Sequence, residues 1–99
     1  MWSKNDVQRI KLHFDEVLYI QGLKDYAIIY TTTGKIVLKG SVKAMQAIFL
    51  PSRFIRVHKF CIVALAKVTH LERNRVLVQG NQIPLGRSYR EEMEKVLLN

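Results

Sequence analysis

Tyr26-Ala27-Ile28-Ile29-Tyr30-Thr31-Thr32-Thr33-Gly34-Lys35-Ile36-Val37-Leu38-Lys39 alternates short β-prone runs around a single glycine. Tyr26–Thr31 and 35–39 are rich in β-branched and aromatic side chains, which fit a pleated, half-buried surface, and Thr32-Thr33-Gly34 supplies a glycine where the chain must reverse. This pattern predicts a β-hairpin. Working back from it, Gln21-Gly22-Leu23-Lys24-Asp25 reads as a loop, and Val17 to Ile20 and Arg9 to Phe14 as two strands around Asp15-Glu16. Working forward, Ser41 can cap a helix of about ten residues or fewer. Its apolar positions Val42, Met45, Ile48 and Phe49 follow helical spacing, and Pro51 stops it.

Phe54 to Leu65 reads as one strand, with Ile55, Val57, Cys61 and Val63 on one face and Phe54, Arg56, His58, Phe60 and Ile62 on the other. Both faces carry apolar residues, so its middle is expected to be buried. Val68 to Glu72, Arg75 to Gln79 and Gln82 to Leu85 then form a meander, turning at Arg73-Asn74 and Gly80-Asn81. Pro84, which cannot donate to a ladder, places the last strand at an edge or ends it. Ser88-Tyr89-Arg90-Glu91 matches a capping box, and Tyr89, Met93, Val96 and Leu97 form an apolar stripe of a terminal helix packed on sheet. The fold class is mostly β with short helices: short antiparallel strands, one short mid-chain helix and a C-terminal helix.

The 99 residues, 48% of them hydrophobic, suit one domain spanning 1–99. Sixteen basic and eight acidic side chains give a net charge of +8. The distribution is more informative than the sum. Between Asp25 and Glu72 there is no carboxylate, while Lys35, Lys39, Lys43, Arg53, Arg56, Lys59 and Lys67 all fall there. A surface built this way attracts polyanions, nucleic acid or an anionic membrane, more than an acidic small molecule. The lone Cys61 has no internal disulfide partner and reads as a small buried hydrophobe in a reducing compartment. No apolar run reaches the roughly 20 residues that cross a bilayer, and the first residues lack a signal-peptide core, so a soluble, cytoplasmic chain is expected.

Three groups of residues suggest chemistry. In Arg53-Phe54-Ile55-Arg56-Val57-His58-Lys59, alternation holds Arg56 and His58 away from the packed side, either to meet an anion or simply to be solvated. Arg87 and Arg90 flank Ser88 at the start of the last helix, where free backbone N–H groups favour a phosphate; alternatively Arg90 pairs with Glu94 one turn on. The loop Gly22-Leu23-Lys24-Asp25-Tyr26 is a third candidate, or a plain connection. Catalysis finds no support, since His13, His58 and His70 lie far apart and no phosphate loop or nucleophile motif occurs. No cofactor and no metal are expected.

Taken together, Leu18-Tyr19-Ile20-Gln21-Gly22-Leu23-Lys24-Asp25-Tyr26, Gly34-Lys35-Ile36-Val37, Phe54-Ile55-Arg56-Val57-His58-Lys59 and Ile83-Pro84-Leu85-Gly86-Arg87-Ser88-Tyr89 resemble the successive signature segments of the LytTR-type DNA-binding domain. They occur in that family's order and cover nearly the whole chain. The resemblance implies a mostly β module, usually the output half of a bacterial two-component response regulator, in which loops and strand ends enter the major groove of promoter repeats. By position, the DNA-facing loops fall at Lys24-Asp25-Tyr26, His58-Lys59 and Arg87-Ser88, with Arg56 and Arg90 as nearby backbone contacts. Implied partners are double-stranded DNA, a second copy on that DNA, and a receiver domain outside these residues.

The chain departs from the family's common pattern in places. Phe60-Cys61 stands where serine followed by an aromatic is frequent, Ala64 where asparagine is frequent, and Gly86 where serine is frequent. Asp25 can accept from a cytosine amino group or keep its loop off phosphate. The competing functions are a small basic protein-interaction module without DNA binding, and single-strand binding through Tyr26, Tyr30 and Phe60 exposed on a basic face.

Overall fold

The computed structural model describes residues 13–50 and 53–98. Eight strands and two helices follow in the order β1 (Val17–Leu23), β2 (Tyr26–Thr31), β3 (Gly34–Lys39), α1 (Val42–Phe49), β4 (Phe54–His58), β5 (Cys61–Ala64), β6 (Val68–Leu71), β7 (Arg75–Val78), β8 (Asn81–Pro84) and α2 (Arg87–Leu98). The first five strands form one antiparallel sheet in the order β3-β2-β1-β5-β4, and the last three form a separate meander, β6-β7-β8. The expected fold class is therefore the observed one.

The large sheet is covered on both faces, which explains why its middle strands carry apolar residues without clean alternation. On one face Val17, Ile20, Ala27, Ile29 and Ile62 pack with Met45 and Phe49 of α1. Phe14, Phe49 and Phe54 close this layer with ring centroids 4.9 to 5.9 Å apart. On the other face Leu18, Ile55, Val57, Cys61 and Val63 pack against Val76, Val78 and Ile83 of the meander and Met93 of α2. Helix α1 lies close because β1 carries Gly22 beneath it: a Cβ there would stand 2.9 Å from Cβ of Val42.

Local signals account for most boundaries. Ser41 Oγ accepts from the Ala44 N–H at 3.1 Å, capping α1 as its position predicts. Thr31 pairs with Gly34, leaving Thr32-Thr33 as the turn. Pro84 ends β8, an edge strand, where its missing N–H costs no ladder bond. The meander turns at Gln79-Gly80, one residue earlier than expected, with φ of 49° and 90°.

Other expectations need correction. The segment 54–65 is a hairpin, β4 and β5 turning at Lys59-Phe60, with His58 opposite Cys61. A two-residue turn alone would invert the alternation of faces, but the register shift between Arg56 and His58 adds one residue to β4 and restores it, so Ile55, Val57, Cys61 and Val63 share one core layer although the chain reverses between them. Strand β1 continues through Leu23, reducing the expected loop to Lys24-Asp25, because β2 pairs along its whole length. Phe14 lies in a 3-10 turn, Phe14–Glu16, rather than a strand, and residues 9–12 lie outside the described residues, as does Pro51. Helix α2 already begins at Arg87, so Ser88 sits inside its first turn rather than before it. Ile48 and Val96 turn to solvent instead of joining their apolar stripes. Among the described residues no helix is long and apolar enough to cross a membrane.

Phe49 is fully buried and touches both other rings of the aromatic layer. Phe49→Ala is expected to lower unfolding stability by about 3–5 kcal/mol, measured as a lower urea midpoint at unchanged slope.

Candidate nucleic-acid interface

The pairing of β1 with β5 brings two turns to one end of the large sheet. Tyr19, Ile20 and Gln21 face Val63, Ile62 and Cys61, so the chain leaves β1 and enters β5 on the same side. The Gly22 N–H donates to the Phe60 carbonyl at 2.7 Å, tying Lys24-Asp25 to Lys59-Phe60. The Gly86 N–H donates to the Val57 carbonyl at 2.7 Å, which fastens the start of α2 to the end of β4. The Gly40 N–H bonds the Asp25 carbonyl at 2.6 Å, and Lys39 faces Tyr26. Lys24, Lys59 and Arg87 thus share one end of the molecule, with Asp25, Tyr26 and Ser88 beside them; all six are exposed.

The nine candidate positions do different things there. Lys24 holds a left-handed φ of 48° at its turn. His58 is half-buried, and its Nδ1 accepts from the Phe60 N–H at 3.1 Å. In the neutral ring the proton then sits on Nε2, which is left as a donor. Arg56 is also half-buried and spans several elements: Nε donates to the His58 carbonyl at 3.3 Å, one terminal nitrogen to the Lys59 carbonyl at 2.6 Å, and the other to Gln46 Oε1 on α1 at 2.9 Å. Its guanidinium carbon stands 5.8 Å from the Tyr89 ring centre, so Arg56 braces the turn that carries His58 and Lys59. Arg90 pairs with Glu94 at 2.9 Å and also donates to the Arg73 carbonyl, the local pairing that its spacing allowed.

Two concavities open at this end. One is lined by Leu23, Lys24, His58, Phe60, Cys61 and Pro84 among others, and its walls are mainly apolar. Leu23, Tyr26 and Phe60 expose 46%, 52% and 47% of their surface, unusual for residues of their size. The other gathers Arg73, Asn74, Leu85, Arg87 and Arg90. Tyr30, by contrast, stacks on Tyr19 with ring centroids 4.4 Å apart and is not free to receive a base. Burial, with Tyr30 and Cys61 adding to it, raises the Tyr19 hydroxyl, and burial pushes the Cys61 thiol up to about 11. The groove floor is therefore neutral while its rim is cationic. Sequence patterning does not single out Gln46 or Arg73; their roles arise from contacts across elements. No group of three or more His, Cys, Asp and Glu among the described residues is placed to hold a metal ion.

A family model for the LytTr DNA-binding domain matches residues 8–98. The chain belongs to the LytTR family. LytTR domains are DNA-binding, non-catalytic output modules of response regulators. Among solved structures, the chain is similar to the LytTr DNA-binding domain of a methyl-accepting/DNA response regulator from Bacillus cereus, with 20% sequence identity and a TM-score of 0.75 over 89% of this chain and 86% of that one. No curated protein matches. This LytTR domain differs at Gly86, and the structure supplies a reason. A Cβ there would lie 2.9 Å from the Tyr89 ring, which leans over the residue and beside Arg56.

Removing the Arg56 brace leaves the His58 and Lys59 carbonyls without its hydrogen bonds. Arg56→Ala is expected to cost about 1.5–3 kcal/mol of stability and to speed hydrogen exchange at Phe60. Arg56→Lys, which cannot span three acceptors in one plane, should restore little of either. For Cys61, keeping the thiol protonated contributes stability that is fully present below about pH 9 and lost as pH rises towards about 11. Alkylation by iodoacetamide at pH 8 is expected to be at least ~100-fold slower in the folded domain than after unfolding, following the thiolate fraction.

Proposed function

We propose that this LytTR domain binds double-stranded DNA sequence-specifically and regulates transcription, as the cytoplasmic output module of a two-component response regulator. The observation that carries this reading is the convergence of Lys24, Lys59 and Arg87, from two turns and the start of α2, on one end of the sheet. Arginine and lysine near phosphates set position and affinity, and groups reaching base edges set sequence preference. Lys24, Arg87 and the first turn of α2 suit phosphate, where the free N–H groups of the helix add to the cations. Lys59 suits guanine acceptors, the Nε2–H of His58 suits any acceptor edge, and Ser88 suits either kind. Arg56 and Arg90 act through the loops they brace. Exposed Asp25 accepts only, which suits a cytosine amino group.

Promoter repeats would seat two copies side by side, and a receiver domain outside these residues would control occupancy by phosphorylation. The exposed edge strand β3, with Lys35, Val37 and Lys39 outward, leaves the side of the domain cationic rather than sticky.

Selection from random duplexes is expected to enrich a directly repeated motif. Affinity for it should fall steeply between low and moderate salt, by roughly 0.9 log units per log unit of salt for each phosphate neutralised. Lys59→Ala should cost about 1–3 kcal/mol on the selected duplex and less on a scrambled one. Arg87→Ala should weaken both alike and reduce the salt slope by about one. Salt-insensitive binding, or no enrichment, would instead favour a protein-interaction module.

A further inference from the structure

Phe60 is the least explained residue at the cationic end. It occupies the second position of the β4–β5 turn, between Lys59 and buried Cys61, and leaves 47% of its surface in water. Its backbone is fully employed: its N–H donates to His58 Nδ1 and its carbonyl accepts from Gly22. The turn is therefore held firmly while the ring is left uncovered. The same groove is lined by Leu23, itself 46% exposed at the end of the β1–β2 hairpin, and by Ile83 and Pro84 of the meander. Lys59 Nζ lies 5.8 Å from the Phe60 ring centre, and Lys24 stands on the groove's rim.

An apolar pocket rimmed by lysines fits an occupant that is anionic overall yet presents small apolar groups. A second copy of the domain docking here would bring its own Lys24, Lys59 and Arg87 against these, which like-charge repulsion opposes. Duplex DNA meets both demands. Its phosphates suit the rim, and the apolar group that its major groove displays is the C5-methyl of thymine, against which phenylalanine packs well.

We propose that Phe60, with Leu23 lining the same groove, is a specificity-determining contact for a thymine C5-methyl group. This deepens the DNA-binding reading and rests on it. A turn with serine at this place would offer a hydroxyl that accepts or donates to any edge; phenylalanine offers only apolar surface, and so selects for the methyl. The preference read by this loop is thus for thymine over cytosine at one position of the site.

The test uses the whole domain and the best duplex recovered by selection from a random pool. Each thymine of that duplex is replaced in turn by deoxyuridine, which removes the methyl group and nothing else. One substitution is expected to weaken binding by about fourfold, the ratio for burial of one methyl-sized group. Phe60→Ala should abolish the difference between thymine and uracil at that position, and Phe60→Leu should retain it; both should fold, because the side chain is exposed.

If no thymine shows methyl sensitivity, or if Phe60→Ala leaves the ratio intact, the proposal is overturned while DNA binding stands. If Phe60→Ala leaves that ratio intact and instead dissolves a dimer seen by sedimentation, the groove is a contact between copies and the proposal again fails. If no duplex is enriched at all, the DNA-binding reading itself has failed and this inference goes with it.

Discussion

The antiparallel pairing of β1 with β5 is the constraint on which the rest of the arrangement depends. Without it the molecule would hold two hairpins joined only through α1, and nothing would fix their turns relative to one another. Three paired positions, extended by the hydrogen bond from Gly22 to Phe60, set the β1–β2 and β4–β5 turns at the same height. The pairing is enforced by burial. Ile20 and Ile62 face each other under α1, while Tyr19 and Val63 face the meander, so a slip of one residue would send each side chain to the wrong layer.

That frame fixes the geometry of the loops gathered at one end of the sheet. The loops are short and end-tied, so their geometry comes from the sheet. Arg56 illustrates the division of labour: a cation on the edge strand whose donors are engaged by two turn carbonyls and a glutamine of α1. It shapes the surface that neighbouring residues offer. Lys24, Lys59 and Arg87, by contrast, keep exposed side chains at this end of the sheet.

Much of this was legible in the sequence because the relevant signals are local. The β2–β3 hairpin, the Ser41 cap and the meander ending at Pro84 each follow from a few adjacent residues, and the successive family segments fixed their global arrangement. What escaped was non-local. The two-residue turn at Lys59-Phe60 and the register shift between Arg56 and His58 cancel in their effect on period-two alternation, so one strand and two strands read alike across 54–65. Likewise nothing near Arg56 announces Gln46, and nothing near Val96 says that it faces solvent while Leu97 packs on the core. The exposure of Leu23 and Phe60 was hidden for a further reason: large apolar side chains are buried by default, and only the placement of the meander decides which of them remain uncovered.

The left-handed backbone of Lys24 carries a consequence for how this surface is maintained. A glycine at that position would sit there without the steric conflict that a Cβ brings, a difference on the order of 1 kcal/mol. The domain keeps a long, exposed basic side chain there instead, in a conformation that few residues tolerate. Selection for robustness alone would erode this lysine towards glycine. A variant library ranked on thermal tolerance would therefore place glycine above lysine at this one turn.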